Sequence, residues 1–341
     1  MVFQGAFVSA QSADSLMKLT YCNSKVIGGS PSKLATISFD IQGPYNFTSD
    51  TLQGGLYNGA NASSQTTMYS GSGGMRFFTN IPVIVKDKII WQVGTNYWRN
   101  KYYGSTTETF FVPINPVNQT LATHGLTTMG LHSTVFKPWN NKLFSIGQAA
   151  ADMSGDYTLS DIPSLKKLKY SASFLMGKKT HSRMLFAAGI SRSYRAGQLA
   201  YFPIALFLWT APSEKWGVEL LLPAKGAIRW NLNKSNLLLF GFEMEGQSYS
   251  LFNQDDHHQS ARNLELRRSE WRVRMTYEKQ LHKLLWCSVQ AGYRINNRFD
   301  VDEFVSGKEI NRALGNDAQY AMENHLSSAV YAMFSIHLVA P

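Results

Sequence analysis

The stretch that decides the fold is IALFLWTAPSEKWGVELLLPAKGAIRWNLNKSNLLLFGFEMEGQSYSL, residues 204–251. Near its middle, Trp216 and Val218 alternate with Gly217 and Glu219. Alternation with a period of two indicates a β-strand, because successive side chains of a strand point to opposite faces. Short clusters of Pro, Gly, Asn, Ser and charged residues separate the apolar runs, and such clusters favour tight turns. The stretch therefore predicts an antiparallel meander.

The same alternation recurs along the chain from Ala35 to Leu338. It predicts about fourteen strands, with twelve as the alternative, since a bacterial barrel of this type has an even number of strands. The predicted strands are 35–42, 68–85, 89–98, 125–136, 142–152, 168–176, 184–190, 204–209, 216–222, 227–232, 236–251, 271–277, 285–295 and 330–338. No domain boundary interrupts this series. We expect one barrel over residues 31–341 and a separate N-terminal segment over residues 1–30.

The connections between these strands alternate in length. Short turns follow the even-numbered strands, and longer polar loops follow the odd-numbered strands, with residues 223–226 as the exception. The long loops are 45–67, 100–124, 153–165, 194–203, 253–263 and 297–326. Outer-membrane barrels show this asymmetry, with short periplasmic turns and long extracellular loops. The predicted fold is all-β: a single antiparallel up-and-down transmembrane β-barrel in the cell outer membrane.

The composition agrees with such a barrel. Aromatic residues make up 13% of the 341 residues and charged residues only 16%, with a mean hydropathy of −0.20. No apolar run approaches the roughly 20 residues that a membrane-spanning helix needs. The net charge of +10 is spread along the chain, and no nucleic-acid-binding motif accompanies it, so we do not expect nucleic acid as a partner.

The N-terminal segment has one targeting feature. Residues 6–11, AFVSAQ, are similar to the end of a secretory signal peptide, although a basic region and a full apolar region do not precede them. We expect the remnant of a signal peptide there, followed by a periplasmic lead-in. Cys22 and Cys287 are expected to be unpaired.

Charged residues on the predicted strands mark the lumen, because a basic residue facing lipid at the bilayer midplane costs about 2–4 kcal/mol. Asp40 belongs to this set. The residues predicted to line the lumen are Lys167, Lys169, Arg183, Arg229, Arg272, Arg274, Arg294, Glu219, Glu243, Glu245 and Glu278. Their mixed signs favour internal ion pairs. A narrow barrel would be filled by its own side chains, whereas a wider one would conduct small solutes.

Three segments resemble an uncharacterised family of Gram-negative outer-membrane β-barrel proteins that is known as a domain of unknown function. They are YFPI (201–204), EKWGVELLLPAK (214–225) and GQSYSL (246–251). NIPV (80–83) and AAD (150–152) are similar to it as well. The resemblance runs from about residue 35 to the end, and it implies a barrel and an outer-membrane location but no activity.

Other candidate sites have a weaker basis in the sequence. Asp255–His258, DDHH, could bind a metal, but adjacent residues rarely converge on one ion, so a solvated loop is favoured. Asp152, Asp156 and Asp161 suggest calcium without matching a known ligand loop. His132 and Ser133 are adjacent on a predicted strand and point to opposite faces, so they cannot form a nucleophile–base pair. Gly71–Gly74 lacks the lysine of a phosphate-binding loop.

Three functions are consistent with this sequence. The favoured one is a passive pore or small-solute transporter with a basic lumen that prefers anionic solutes. The second is a closed barrel that binds a partner through the loops 45–67, 100–124 and 297–326. The third is a membrane-embedded hydrolase. We expect no enzyme activity, catalytic residue, metal or cofactor, and outer-membrane lipid and lipopolysaccharide as the surroundings.

Overall fold

The computed structural model describes residues 21–49, 65–104, 116–194, 198–251, 264–303 and 320–340. One helix and one 3₁₀ helix accompany the strands in these ranges: α1 (Pro116–Thr123) and Leu165–Lys167. The strands are β1 (Lys33–Gln42), β2 (Tyr45–Ser49), β3 (Gln65–Thr79), β4 (Ile81–Lys86), β5 (Ile89–Gly104), β6 (Leu126–Pro138), β7 (Leu143–Gly155), β8 (Lys169–His181), β9 (Met184–Ser193), β10 (Ala200–Thr210), β11 (Trp216–Leu222), β12 (Lys225–Asn233), β13 (Asn236–Leu251), β14 (Leu264–His282), β15 (Leu285–Glu303), β16 (Asn324–Leu326) and β17 (Ala329–Val339). No described helix is long and apolar enough to cross a membrane.

The strands form one closed antiparallel barrel. Each strand pairs with its neighbours in the chain, and β1 closes the ring by pairing with both β17 and β3. The short segments β2, β4 and β16 extend β1, β3 and β17, so the wall has 14 strands. The predicted count of fourteen is confirmed, and the alternative of twelve is wrong.

Several strands run further than the alternation indicated. Segments β2 and β16 and helix α1 lie within stretches that were predicted to be loops, and β5 and β15 extend to Gly104 and Glu303. The second predicted strand is divided at Asn80 into β3 and β4. The side of the barrel that carries the long loops is called here the loop side. It contains β2, β16, α1 and the extended ends of β5 and β15. The opposite end, which carries the short turns, is the turn side.

The outer face of the barrel is apolar. On β8, Tyr170 and Met176 are each 60% exposed, whereas Ser171 and Ser173 on the inner face are 4% and 6% exposed. Only a closed barrel or a helix can cross a bilayer, because every backbone polar group must be bonded within the protein. A closed wall with an apolar exterior and a polar interior meets that requirement. The protein is an outer-membrane β-barrel.

On the loop side the barrel narrows to a smaller ring. Strands β7 and β13 run in the same direction and meet at Gly155 and Ser250. The Gln247 side-chain amide donates a 2.7 Å hydrogen bond to the Ser154 hydroxyl across this contact. The contact joins the ends of nine neighbouring segments, here called the loop-side sub-barrel: β13, β14, β15, β16, β2, β3, β5, β6 and β7. Strands β8–β12 are outside it.

An apolar core fills the loop-side sub-barrel. Tyr45 and Tyr69 stack with ring centroids 5.5 Å apart, and Phe47 meets Phe299 edge to face at 5.6 Å. Val117 and Leu121 of α1 are buried in the same cluster. Such packing excludes water from the centre of the ring.

Candidate functional site: the internal cavity

A cavity of about 600 Å³ occupies the barrel between the loop-side sub-barrel and the turn side. Residues from almost every strand contribute to its walls, and the N-terminal residues 24–33 form its floor. A chamber of this size falls within the usual range for a small-molecule site. We regard it as the candidate site.

The floor belongs largely to the N-terminal segment, whose described residues are 21–30, and hydrogen bonds to the backbone of this segment hold it in place. The Ile27 amide donates to the Ser182 carbonyl at 3.0 Å, and the Ser30 amide donates to a Glu219 carboxylate oxygen at 3.0 Å. The Asn231 side chain donates to the Gly28 carbonyl at 3.0 Å. These bonds join the segment to β11, β12 and the β8–β9 turn, so the segment covers the turn side of the cavity.

The same segment carries Cys22, whose thiol donates to the Leu143 carbonyl at 3.5 Å. Burial raises the pKa of the Cys22 thiol, and the nearby Lys179 ammonium offsets part of that rise. Cys22 and Cys287 are both free, as the sequence predicted.

One wall of the cavity is apolar. Ile146, Leu175, Leu206 and Leu208 line it from β7, β8 and β10. Cys22 and Val26 of the N-terminal segment pack against the same cluster. Four inner positions on β7, β8 and β10 thus carry aliphatic side chains, which would suit the apolar part of a solute.

The opposite wall is charged and is formed by β13 and β14. Arg272 contacts Glu245 at 2.7 Å and Glu270 at 2.5 Å. Arg274 pairs with Glu243 on the neighbouring strand. Glu243 is the register partner of Arg272, so acidic side chains of β13 lie beside basic side chains of β14 on the inner face. The wall therefore presents both guanidinium and carboxylate groups to the cavity.

The ion pairs continue from this wall to residues that do not line the cavity. Arg294 contacts Asp40 at 2.5 Å, and Arg76 contacts both Asp40 at 3.1 Å and Glu245 at 2.6 Å. The Arg76 guanidinium stacks 4.3 Å from the Trp98 ring centre. These residues form a continuous ion-pair network beneath the aromatic core of the loop-side sub-barrel.

The charges that line the cavity are not balanced. Among the described residues, seven basic and five acidic side chains contribute to the lining. The basic residues are Lys25, Lys33, Arg76, Lys225, Arg229, Arg272 and Arg274, and the acidic ones are Asp152, Glu219, Glu243, Glu245 and Glu278. Most of them are in ion pairs, including Lys33 with Glu278 at 2.6 Å and Arg229 with Glu219.

The structure distributes the residues that were predicted to line the lumen over three places. Those that line the cavity are Arg229, Arg272, Arg274, Glu219, Glu243, Glu245 and Glu278. Arg294 lies behind the cavity wall in the ion-pair network. Lys169, Arg183 and Lys167 lie elsewhere: Lys169 at the loop-side start of β8, Arg183 half-buried in the β8–β9 turn, and Lys167 exposed in the 3₁₀ helix before β8.

Several charged residues of the cavity and its network are not among the residues predicted to line the lumen: Lys33, Arg76, Lys225, Arg268 and Glu270. A signal existed for two of them. Arg268 and Glu270 are separated from Arg272 by an even number of residue positions. Extending the alternation of the predicted strand 271–277 towards its N-terminus would therefore have placed both of them on the inner face.

The other candidate sites that fall within the described residues do not assemble. His132 stacks on Phe78 inside the barrel with ring centroids 5.0 Å apart, while Ser133 accepts a hydrogen bond from the Trp91 indole on the other face. The described part of the chain contains no group of three or more His, Cys, Asp or Glu side chains that could hold a metal ion. Residues 6–11 and Asp255–His258 lie outside the described residues.

No protein-family model and no curated protein matches this sequence. Solved structures with a similar arrangement of strands include three proteins of Pseudomonas. A FadL homologue of Pseudomonas aeruginosa is 8% identical with a TM-score of 0.40, over 89% of each chain. An outer membrane channel of Pseudomonas putida F1 is 10% identical with a TM-score of 0.37, over 97% of this chain and 100% of that one. The toluene transporter TodX of Pseudomonas putida is 8% identical with a TM-score of 0.36, over 93% of this chain and 94% of that one. Membership of the family that the sequence resembles stays a prediction.

Proposed function

We propose that this protein is an outer-membrane channel that transfers small solutes through its internal cavity and prefers anions. The observation that carries the proposal is the cavity of about 600 Å³, in which an aliphatic wall faces a wall of paired charges with an excess of basic residues. A solute with an apolar body and an anionic group could contact both walls at once.

The ion pairs of the charged wall give the solute a place to bind without a large rearrangement. A guanidinium group such as that of Arg274 can hold a carboxylate or phosphate in place of, or together with, Glu243. Exchange of one anion for another keeps each buried basic group paired, and that avoids the cost of an isolated buried charge. Solute binding would then be weak enough for release.

The channel would be gated rather than permanently open. The aromatic core and α1 close the loop-side sub-barrel, and the N-terminal segment covers the turn side. A solute can therefore cross only when the N-terminal segment moves away from the turn side and a path also opens on the loop side. This favours a small-solute transporter over a wide passive pore.

The test is ion selectivity of the refolded protein in planar bilayers. Lys225 and Glu243 are register partners on β12 and β13, and both line the cavity. Under a salt gradient, Lys225→Gln should lower the preference for chloride over potassium, and Glu243→Gln should raise it. The exposed turn residue Lys142 supplies the control, and Lys142→Gln should leave the reversal potential unchanged. Equal reversal potentials in all four proteins would contradict the proposal.

A second function, a closed barrel that docks a partner, is favoured by one specific observation. The aromatic core of the loop-side sub-barrel would leave such a barrel without a conducting state. Absence of conductance from a correctly folded protein, together with capture of a partner that depends on loop 100–124, would support this second function.

A further inference from the structure

The loop-side sub-barrel leaves no room for an axial route among the described residues. Its apolar core contains side chains from eight of its nine segments, all except β7, and from α1 and the first residue of β17, but none from β8–β12. Tyr249, Leu264 and Leu266 belong to this core and are almost fully buried. Opening a path along the barrel axis would therefore require the core itself to come apart.

The outer face of this sub-barrel is polar where β13 and β14 form it. Ser248, Glu265 and Arg267 alternate with the core residues Tyr249 and Leu266, so they point away from the core. Glu265 is 0% exposed and Arg267 is 1% exposed. Arg267 forms an ion pair with Asp302 on β15. A buried polar layer thus lies on the outside of the smaller ring.

The start of β8 covers this polar layer. Lys169 donates to the Ser248 hydroxyl at 2.8 Å and to the Ser248 carbonyl at 3.1 Å, and it forms an ion pair with Glu265. Lys169 is adjacent to Tyr170 on β8, and Tyr170 is exposed on the outer face. The Lys169 side chain therefore extends from the inner face of the 14-strand wall. The inner face of β8 and the outer face of β13 therefore form a double wall.

The strand edges beside this double wall are partly unpaired. The β10–β11 register ends at Ala205 and Leu222, so residues 200–204 of β10 have no β11 partner. The β12–β13 register ends at Lys225 and Glu243, so residues 245–249 of β13 have no β12 partner. Within the described residues, no other strand pairs with these two edges. Backbone groups without a partner strand need water or another polar partner, because hydrocarbon cannot satisfy them, and the Ser248 carbonyl has such a partner in Lys169.

We infer that solutes pass between the cavity and the loop side through the space between β8–β10 and the outer face of β13–β14, and that the contact of Lys169 with Glu265 and Ser248 closes this side passage. The inference rests on the proposed channel function. The cavity reaches Gly246 and Gln247 on β13, immediately below the contact. The passage thus begins where the cavity ends.

The chemistry of the passage selects small anionic solutes. Release of Lys169 from Glu265 frees an ammonium group that an incoming anion can neutralise, so the closing residue becomes the first binding residue. Arg267 lies next to Glu265, 3.9 Å from its carboxylate, and adds a second basic group. A fully apolar solute would have to displace these contacts without replacing them, which is costly for buried ions.

The experiment uses reversible cross-links in the full chain, in a background with Cys22→Ser and Cys287→Ser. The test protein carries Lys169→Cys and Ser248→Cys, which a short reducible bis-methanethiosulfonate reagent can join. The control protein carries Ser173→Cys and Ser191→Cys, which are register partners within the wall formed by β8 and β9. Conductance for chloride and for a small organic anion, benzoate, is measured before cross-linking, after it, and after reduction.

We expect the cross-link between β8 and β13 to lower conductance at least tenfold and reduction to restore it, with less than a twofold change in the control protein. A separate Lys169→Met variant, checked for folding by its heat-modifiable gel band, should conduct several-fold better than the wild type. Conductance that persists after complete cross-linking would overturn the side passage while leaving the channel function intact. Absence of conductance in every folded variant would instead remove the channel function and the passage with it.

Discussion

At the scale of single residues, the interior depends on a few fully buried charges. Asp40 is 2% exposed and contacts Arg294 and Arg76, and Arg76 links it to Glu245 and the charged wall of the cavity. Removing one member of a buried ion pair leaves a buried charge without a partner, which is strongly destabilising. Replacing the whole pair by apolar residues of similar size changes the stability much less. These residues should therefore dominate the response of the barrel to mutation.

The first prediction concerns Asp40. Asp40→Asn should lower the free energy of unfolding by about 3 kcal/mol, because it leaves Arg294 with one buried anion fewer. The measurement is urea-induced unfolding in lipid vesicles, followed by tryptophan fluorescence. Asp87 is exposed in the β4–β5 turn, and Asp87→Asn is the matched control. Identical unfolding midpoints for the two variants would contradict the importance of the network.

The second prediction concerns Cys22. Since burial raises the pKa of its thiol, the reactive thiolate forms only at a higher pH than in an unfolded chain. In the Cys287→Ser background, maleimide labelling of the folded protein at pH 7 should be much slower than labelling in urea, and its rate should keep rising above pH 9. Equal rates in the folded and unfolded states at pH 7 would show that burial does not protect the Cys22 thiol in the folded protein.

At the scale of the elements, the N-terminal segment is the movable part on the turn side. Its described residues, 21–30, contribute no strand to the wall, and their contacts with the barrel include a hydrogen bond from the Lys179 ammonium to the Asn23 carbonyl at 3.2 Å. Short stretches held by a few hydrogen bonds open at low free energy. The segment can therefore leave the cavity while the barrel stays intact.

The third prediction follows from that. A variant that lacks residues 1–30 should show a single-channel conductance several-fold above that of the wild type, because the floor of the cavity is removed. Lys179→Met, which weakens the attachment without removing the segment, should give more frequent openings of wild-type size. If the shortened protein folds and its conductance equals that of the wild type, the segment does not close the channel.

The elements also show how far the sequence could predict this fold. The strands and their lipid-facing sides follow from the period-two alternation, because one face contacts lipid and the other does not. The loop-side part of β14 was missed because Glu265, Arg267 and Ser269 occupy the outer positions there, where the alternation needs apolar residues. They are polar because β8, rather than lipid, lies against Glu265.

Long-range contacts limited the prediction of the site in the same way. Arg76 follows a register shift between Tyr69 and Gly71, and such a shift changes which residues face inward. The contact between β7 and β13 joins residues that are far apart in the chain, and no local pattern encodes it. The sequence could therefore predict which strand positions face inward but could not place Lys169 outside the loop-side sub-barrel.

At the scale of the whole molecule, the barrel is a chamber with two closures. The cavity lies between the aromatic core on the loop side and the N-terminal segment on the turn side. An aliphatic wall faces a charged wall across it. This arrangement distinguishes the protein from a wide water-filled pore, in which neither end would be closed.

The fourth prediction tests the central claim that this chamber conducts anions. The measurement is single-channel conductance of the refolded, heat-modifiable protein in a planar bilayer under a potassium chloride gradient. We predict small, intermittent steps in the wild type whose reversal potential shows a preference for chloride, and larger steps with the same preference after removal of residues 1–30. A folded barrel that stays silent in both forms, or steps that prefer potassium, would contradict the account.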